Sequence, residues 1–192
     1  MSKIYFATRI YRAQVAAPDG LAKVSLAIAR EDKAGQRWAK THGYRGYTSY
    51  ASLDDLPTRS PEFAALAARI APHIRRFARE LQFARTRLAL DSMWINVMDE
   101  GAVHSAHIHP HSAISGTYYV ALPTAASPIR FEDPRLPLMM AAPMKRESAR
   151  DKPFVTIVPK DGTLLLWESW LRHDVPQNQA RGRRISVSFN YR

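Results

Sequence analysis

Cysteine is absent from all 192 residues, which removes disulfides, thiolate metal ligands, iron–sulfur clusters and cysteine nucleophiles together. Any metal the chain holds must sit on histidine and carboxylate. Apolar runs are short as well, and none reaches the about 18 residues that a membrane-spanning helix needs. The opening MSKIYFATRIYRAQV scatters charge where a secretory signal carries an unbroken apolar stretch. These absences predict a cytoplasmic protein with no membrane segment. Acidic residues are the minority, 17 against 28 Lys and Arg, for a formal net charge of +11. Such a surplus attracts phosphate and other anions, and Arg69, Arg75, Arg76, Arg79, Arg85 and Arg87 crowd one helical stretch. No zinc finger, aromatic RNA-binding strand or recognition helix accompanies them. A solvated helix face is the simpler reading; nucleic acid is the less favoured partner, and an anionic substrate fits the same charge.

What is present suits a folded protein: 46% of the residues are apolar and 23% charged, and the length calls for a single domain, 1–192. Loose alternation at Ile4, Phe6, Ile10 and Val15 predicts an edge strand over 4–15, ended by Pro18-Asp19-Gly20. Leu21, Val24, Ile28 and Trp38 suit a helix interrupted near Gly35. The segment 41–58, rich in Gly, Tyr, Ser and Asp, reads as a structured loop. A second helix starts at Ser60 as N-cap, with Pro61 at its first position and Glu62 in the first turn. Its apolar stripe is Phe63, Leu66, Ile70, Ile74, Phe77 and Leu81, and Pro72 predicts a kink or two shorter helices.

After Arg87 the pattern changes to short β-like runs between turn signals. Strands are predicted near 88–98, 105–109, 114–122, 128–132, 154–158, 163–167, 173–176 and 184–191. This many strands in one domain suggests a jelly roll or related barrel, the architecture that includes the cupins. The stretch 133–153 is long for a structureless connection and has the length of a lid.

Five of the seven histidines lie between His104 and His173, four of them in His104-Ser-Ala-His107-Ile-His109-Pro-His111. Alternation along a strand puts His107 and His109 on one face, where neutral imidazoles can share a metal ion; His104 has the opposite parity, and His111 follows a proline. An exposed histidine-rich turn is the alternative. A buried-strand pattern, Gly162 to Trp167, leads to His173. Then Arg184 opens an alternating run in which Arg184, Ser186, Ser188 and Asn190 share one face and Ile185, Val187 and Phe189 the other. A barrel interior with so many polar groups needs something to hydrogen-bond, and a dicarboxylate clamped by guanidinium and hydroxyl meets that need.

The order His107-x-His109-Pro, Ser115-Gly-x-Tyr118-Tyr119, Leu171-x-His173-x-Val175 and Arg184-Ile-Ser186-x-Ser-Phe-Asn190 resembles the Fe(II)- and 2-oxoglutarate-dependent oxygenases. Within them it is similar to a bacterial and phage branch with no assigned substrate. The resemblance covers about Leu90 to Arg192. It implies a mainly β (α+β) fold, a double-stranded β-helix over 88–192 with an N-terminal strand and helices (1–87) packed on it. It also implies Fe(II) on His107, His109 and His173, with Arg184 and Ser186 on the distal carboxylate of 2-oxoglutarate. Tyr119 resembles the tyrosine that many members direct at that carboxylate. Ser115 shares its inward face, Asn96 joins the same cavity, and Tyr118 points away. The superfamily's usual second ligand is Asp or Glu, where this chain has His109; Glu100, Glu132 or Asp133 is the alternative third ligand.

The activity so implied is oxidation of a substrate by O2, usually hydroxylation, with 2-oxoglutarate converted to succinate. The Tyr44-Arg-Gly-Tyr47 loop and the 133–153 segment are candidate substrate contacts. Two other readings stay open. A cupin-like three-histidine dioxygenase without 2-oxoglutarate leaves Arg184 no task, and a non-catalytic basic binding protein leaves the histidines idle.

Overall fold

The structure, a computed structural model, describes residues 1–192 except 4–5, 136–139, 141–142 and 149–151. Ten strands and four α-helices are found among the described residues. The first strand, β1, is Ile10–Gln14, shorter than the expected 4–15. Ile4 lies outside the described residues, and Phe6 is exposed at φ 57°. Two helices follow, α1 (Leu21–Glu31) and α2 (Lys33–Thr41). The break falls at Asp32 rather than near Gly35, because the Asp32 carboxylate caps α2 by accepting from the Gly35 N–H at 3.0 Å. The expected loop 41–58 contains β2 (Gly46–Thr48) and the start of α3 (Leu56–Arg59). A strand of three residues is too short to leave a periodicity.

Helix α4 runs unbroken over Pro61–Glu80, so Pro72 does not divide it. Phe63, Leu66, Ile70, Ile74 and Phe77 are fully buried along one side. Burial at about 1.5–3 kcal/mol for each large apolar side chain outweighs one lost backbone hydrogen bond. Ser60 is the N-cap residue, but its hydroxyl bonds the Glu62 carboxylate rather than a backbone N–H.

The remaining strands are β3 (Leu90–Met98), β4 (His104–His107), β5 (Ile114–Ala121), β6 (Ile129–Glu132), β7 (Phe154–Ile157), β8 (Thr163–Glu168), β9 (His173–Val175) and β10 (Arg184–Tyr191). They form two antiparallel sheets, β1-β8-β5-β10-β3-β2 and β4-β9-β6-β7, the jelly roll of a double-stranded β-helix. The helices pack on the outer face of the large sheet. There Ile70, Ile74 and Phe77 meet Ile95, Val97, Tyr118, Leu166, Val187 and Phe189. Between the sheets lies a smaller apolar cluster of Tyr119, Ile129, Phe131, Leu165, Trp167 and Leu171. Strand alternation makes the division: along β10, Ile185, Val187 and Phe189 face the helices, while Arg184, Ser186, Ser188 and Asn190 line a cavity on the other side. Of the expected 133–153 lid, residues 136–139, 141–142 and 149–151 lie outside the described residues. No described helix is long and apolar enough to cross a membrane.

Candidate metal centre

Strands β4 and β9 pair so that His107 stands directly opposite His173, with ring centroids 4.4 Å apart. His109 is not on β4, which ends at His107; strand parity therefore does not carry it. A backbone bond does: its N–H donates to the Ser169 carbonyl at 2.9 Å, folding the segment back toward β9. The His109 ring stacks on His173 at 5.2 Å between centroids and 12° between planes, and their Nε2 atoms are 3.3 Å apart. One nitrogen from each of His107, His109 and His173 lies within 4.8 Å of the others. Nitrogens about 2.1 Å from a metal and about 90° apart are about 3.0 Å from one another, so a small closure brings the set onto an ion.

Backbone carbonyls fix two of the tautomers. His107 Nδ1 lies 2.7 Å from the Ser105 carbonyl, and His173 Nδ1 lies 2.9 Å from that of Leu171. A carbonyl only accepts, so each Nδ1 carries the proton and each Nε2 keeps its lone pair for a metal. Burial, reinforced by the neighbouring imidazoles, pushes His173 down to about 3 and His109 down to about 4. Both are neutral, the form that binds metal. No carboxylate joins this cluster among the described residues. Glu132 pairs with Arg172 at 3.0 Å, Asp133 with Arg135 at 2.7 Å, and Glu100 is exposed in the turn after β3. His104 and His111 stay outside it: His104 stacks on Tyr44 at 5.0 Å, and His111 is exposed at φ 66°.

The histidines open onto a cavity of about 510 Å³, within the range that holds small ligands. Arg184 lies in its wall, only 2% exposed. Its Nε donates to the Ser127 carbonyl at 3.2 Å, and its Nη1 donates to Ser186 Oγ at 3.2 Å and reaches Met98 Sδ at 3.5 Å. None of these partners is anionic, and no Asp or Glu lines the cavity among the described residues. A buried guanidinium without a counter-ion is strongly unfavourable, and an anion entering the cavity relieves it. The Tyr119 ring lies under the guanidinium, 5.0 Å from centroid to Cζ. The hydroxyls of Tyr119 and Tyr44 are both buried without a hydrogen-bond partner. Burial raises both phenols above their ordinary pKa, so they stay protonated as donors.

Sheet register aligns this wall. Ser186 on β10 is flanked by Tyr119 on β5 and Asn96 on β3. Asn96 lines the cavity, donating to Ser188 Oγ at 3.1 Å and accepting from Thr48 Oγ1 at 2.9 Å. Ser115 lies on the inward face, yet its hydroxyl donates to Asn190 at 2.8 Å, sits 2.8 Å from Ser169 Oγ and does not line the cavity. Tyr118 points away, donating to the Val15 carbonyl at 3.0 Å. Sequence reasoning missed Trp38, Thr48, Trp94 and His104 as lining residues. Only Trp94 carried a signal, being two positions from Asn96 on one strand face. Tyr44, read as a substrate contact, lines the same cavity as Arg184.

Residues 92–190, just over half of the chain, match the family described as "Putative 2OG-Fe(II) oxygenase". No curated protein sequence matches significantly. Among solved structures, the epimerase SnoN from nogalamycin biosynthesis, in complex with Fe3+, alpha ketoglutarate and nogalamycin RO, superposes with a TM-score of 0.61 at 16% identity. That match covers 96% of this chain and 78% of SnoN. HygX from Streptomyces hygroscopicus, with nickel and 2-oxoglutarate bound, gives 0.57 at 14% identity, covering 96% and 81%. EctD from S. alaskensis in its apoform gives 0.63 at 16%, covering 96% and 72%. At such identities the likeness speaks to the fold alone.

Proposed function

The chain belongs to the 2OG-Fe(II) oxygenases, and from that premise we propose a substrate hydroxylase with iron on His107, His109 and His173 and the distal carboxylate of 2-oxoglutarate on Arg184. The observation that carries this assignment is a buried Arg184, with no counter-ion among the described residues, in the same cavity as three converging imidazoles. The donor set fits both groups. Neutral imidazoles suit iron, and a guanidinium beside unpartnered phenol hydroxyls suits a carboxylate. A three-histidine dioxygenase that takes no 2-oxoglutarate leaves the Arg184 charge uncompensated.

When bound, iron and 2-oxoglutarate supply the activation of O2 and the oxidising power, with succinate and CO2 as co-products. The protein's own groups bind and orient. Three neutral ligands leave the metal its full charge, which favours a dianionic cosubstrate. Ser186, hydrogen-bonded to Arg184, steadies the guanidinium. The apolar cluster of Ile129, Phe131, Leu165 and Trp167 backs the histidines and excludes water. Burial keeps His109 and His173 neutral, so they serve as ligands rather than acid–base groups.

Of the lining residues, Tyr50, Val103 and Ile108 are exposed and mark the side from which a substrate would enter. No carboxylate lines this path among the described residues, and the whole chain is strongly basic. A neutral or anionic small molecule fits better than an amine. The test is spectroscopic. Under anaerobic conditions, Fe(II) and 2-oxoglutarate together should give a visible charge-transfer band that neither gives alone. Metal-loaded protein that stays colourless with 2-oxoglutarate would point to the three-histidine dioxygenase instead.

A further inference from the structure

Tyr44 lies outside the 92–190 region, on the loop between α2 and β2, yet it reaches the same cavity wall as Arg184 and Tyr119. Its hydroxyl is buried and has no partner. A tyrosine that only packs gains nothing from a hydroxyl in that state, because a buried, unbonded O–H forfeits its bond to water. Phenylalanine would fill the same space at less cost.

The ring is held on several sides. The Tyr44 N–H donates to the Ala39 carbonyl at 2.8 Å, closing the end of α2. The ring stacks on His104, with planes 21° apart, and packs against Met98, Ala102 and Val175. Met98 is also the residue whose sulfur Arg184 Nη1 approaches at 3.5 Å, and Arg184 is the cation that acts on the Tyr44 hydroxyl. Tyr44 and Arg184 therefore share a neighbour and a pocket.

We infer that Tyr44 is a second phenol donor to the distal carboxylate of 2-oxoglutarate, so that the N-terminal segment as well as the barrel binds the cosubstrate. This rests on the oxygenase reading above. A carboxylate offers about four lone-pair sites. Arg184 fills some of them from β10, Tyr119 donates from β5, and Tyr44 donates from the α2–β2 loop. The strand that follows this loop, β2, is in turn held by Asp32, whose carboxylate accepts from Tyr47 Oη at 2.9 Å and from Ser52 Oγ at 2.5 Å.

The test removes one oxygen atom. Tyr44→Phe and wild-type protein, loaded with Fe(II) under anaerobic conditions, are titrated calorimetrically with 2-oxoglutarate and with pyruvate. Pyruvate keeps the 2-oxo acid end and lacks the distal carboxylate. Loss of a hydrogen bond to a charged group should weaken 2-oxoglutarate binding about tenfold and leave pyruvate and Fe(II) affinity unchanged. Unchanged 2-oxoglutarate affinity overturns the inference, and so does an equal loss for pyruvate, which would place the effect at the metal. Wild-type protein that binds iron but not 2-oxoglutarate overturns the oxygenase reading itself, a result that the variant cannot produce.

Discussion

Arg183 and Arg184 are neighbours in sequence and opposites in environment. Arg183 is exposed, 3.5 Å from Asp99, while Arg184 is buried in a cavity that no Asp or Glu lines among the described residues. Arg184 opens β10 on its cavity side, whereas Arg183 precedes the strand and lies exposed. Arg184→Ala should weaken 2-oxoglutarate binding tenfold or more, at about 1.5–3 kcal/mol for each hydrogen bond to a charged group. Arg183→Ala should leave it unchanged, and anaerobic calorimetry on the iron-loaded proteins measures both. Equal losses would place the clamp elsewhere. Carrying the alternation of β10 one residue back made this pair legible in the sequence. It failed to show that the Ser115 hydroxyl is taken up by Asn190 and Ser169, because an inward-facing residue can still spend its hydrogen bonds on neighbours.

The element that positions the site is β10, held between β3 and β5. On its helix-facing side Phe189 occupies the space that a side chain at Gly116 would need. A Cβ there would stand 2.5 Å from the Phe189 ring and 2.6 Å from Leu166 Cδ2. Gly116→Ala should therefore destabilise the fold by about 1–3 kcal/mol through overpacking. A lowered urea midpoint at unchanged m-value would report it. A midpoint equal to wild type would show that Phe189 can swing aside. The elements were otherwise easiest to read where periodicity is long. The stripe of α4 and the alternation of β10 stand out, whereas β2 is three residues long and leaves no pattern. The break at Asp32 depends on a side-chain cap that accepts from the N–H of Gly35, three residues on, and spacing alone favoured the glycine.

At the scale of the molecule, folding gathers several imidazoles, buried or half-buried, around one cavity. Burial, with the charges of neighbouring histidines and Arg184, pushes His104 down to about 3; His173 is likewise down to about 3 and His109 to about 4. Unfolded, each titrates near 6.5. Above that pH both states are neutral, and stability is at its full value. As pH falls below about 6.5 the unfolded chain takes up protons that the folded chain refuses. Stability is then lost progressively toward pH 4, by up to about 1.4 kcal/mol per pH unit for each histidine. Denaturation of metal-free protein from pH 7.5 to 4 measures the slope. His104→Gln, outside the metal cluster, should make it shallower, and an unchanged slope would remove His104 from this account.

Chemical type was settled by the sequence. Without cysteine, a metal had to find histidine or carboxylate; the clustered histidines, the polar face beginning at Arg184 and the strand-rich second half pointed to one oxygenase fold because each is a local pattern that the chain carries wherever it goes. Long-range pairing decided the rest. His107 and His173 are 66 positions apart and become neighbours only because β4 pairs with β9. His109 joins them through the Ser169 carbonyl rather than through strand parity. Tyr44 comes to the cavity that Arg184 lines from a loop with no periodic signal. Such contacts depend on the order and register of strands across two sheets, which are fixed by the packing of distant segments and leave no trace in the spacing of neighbouring residues.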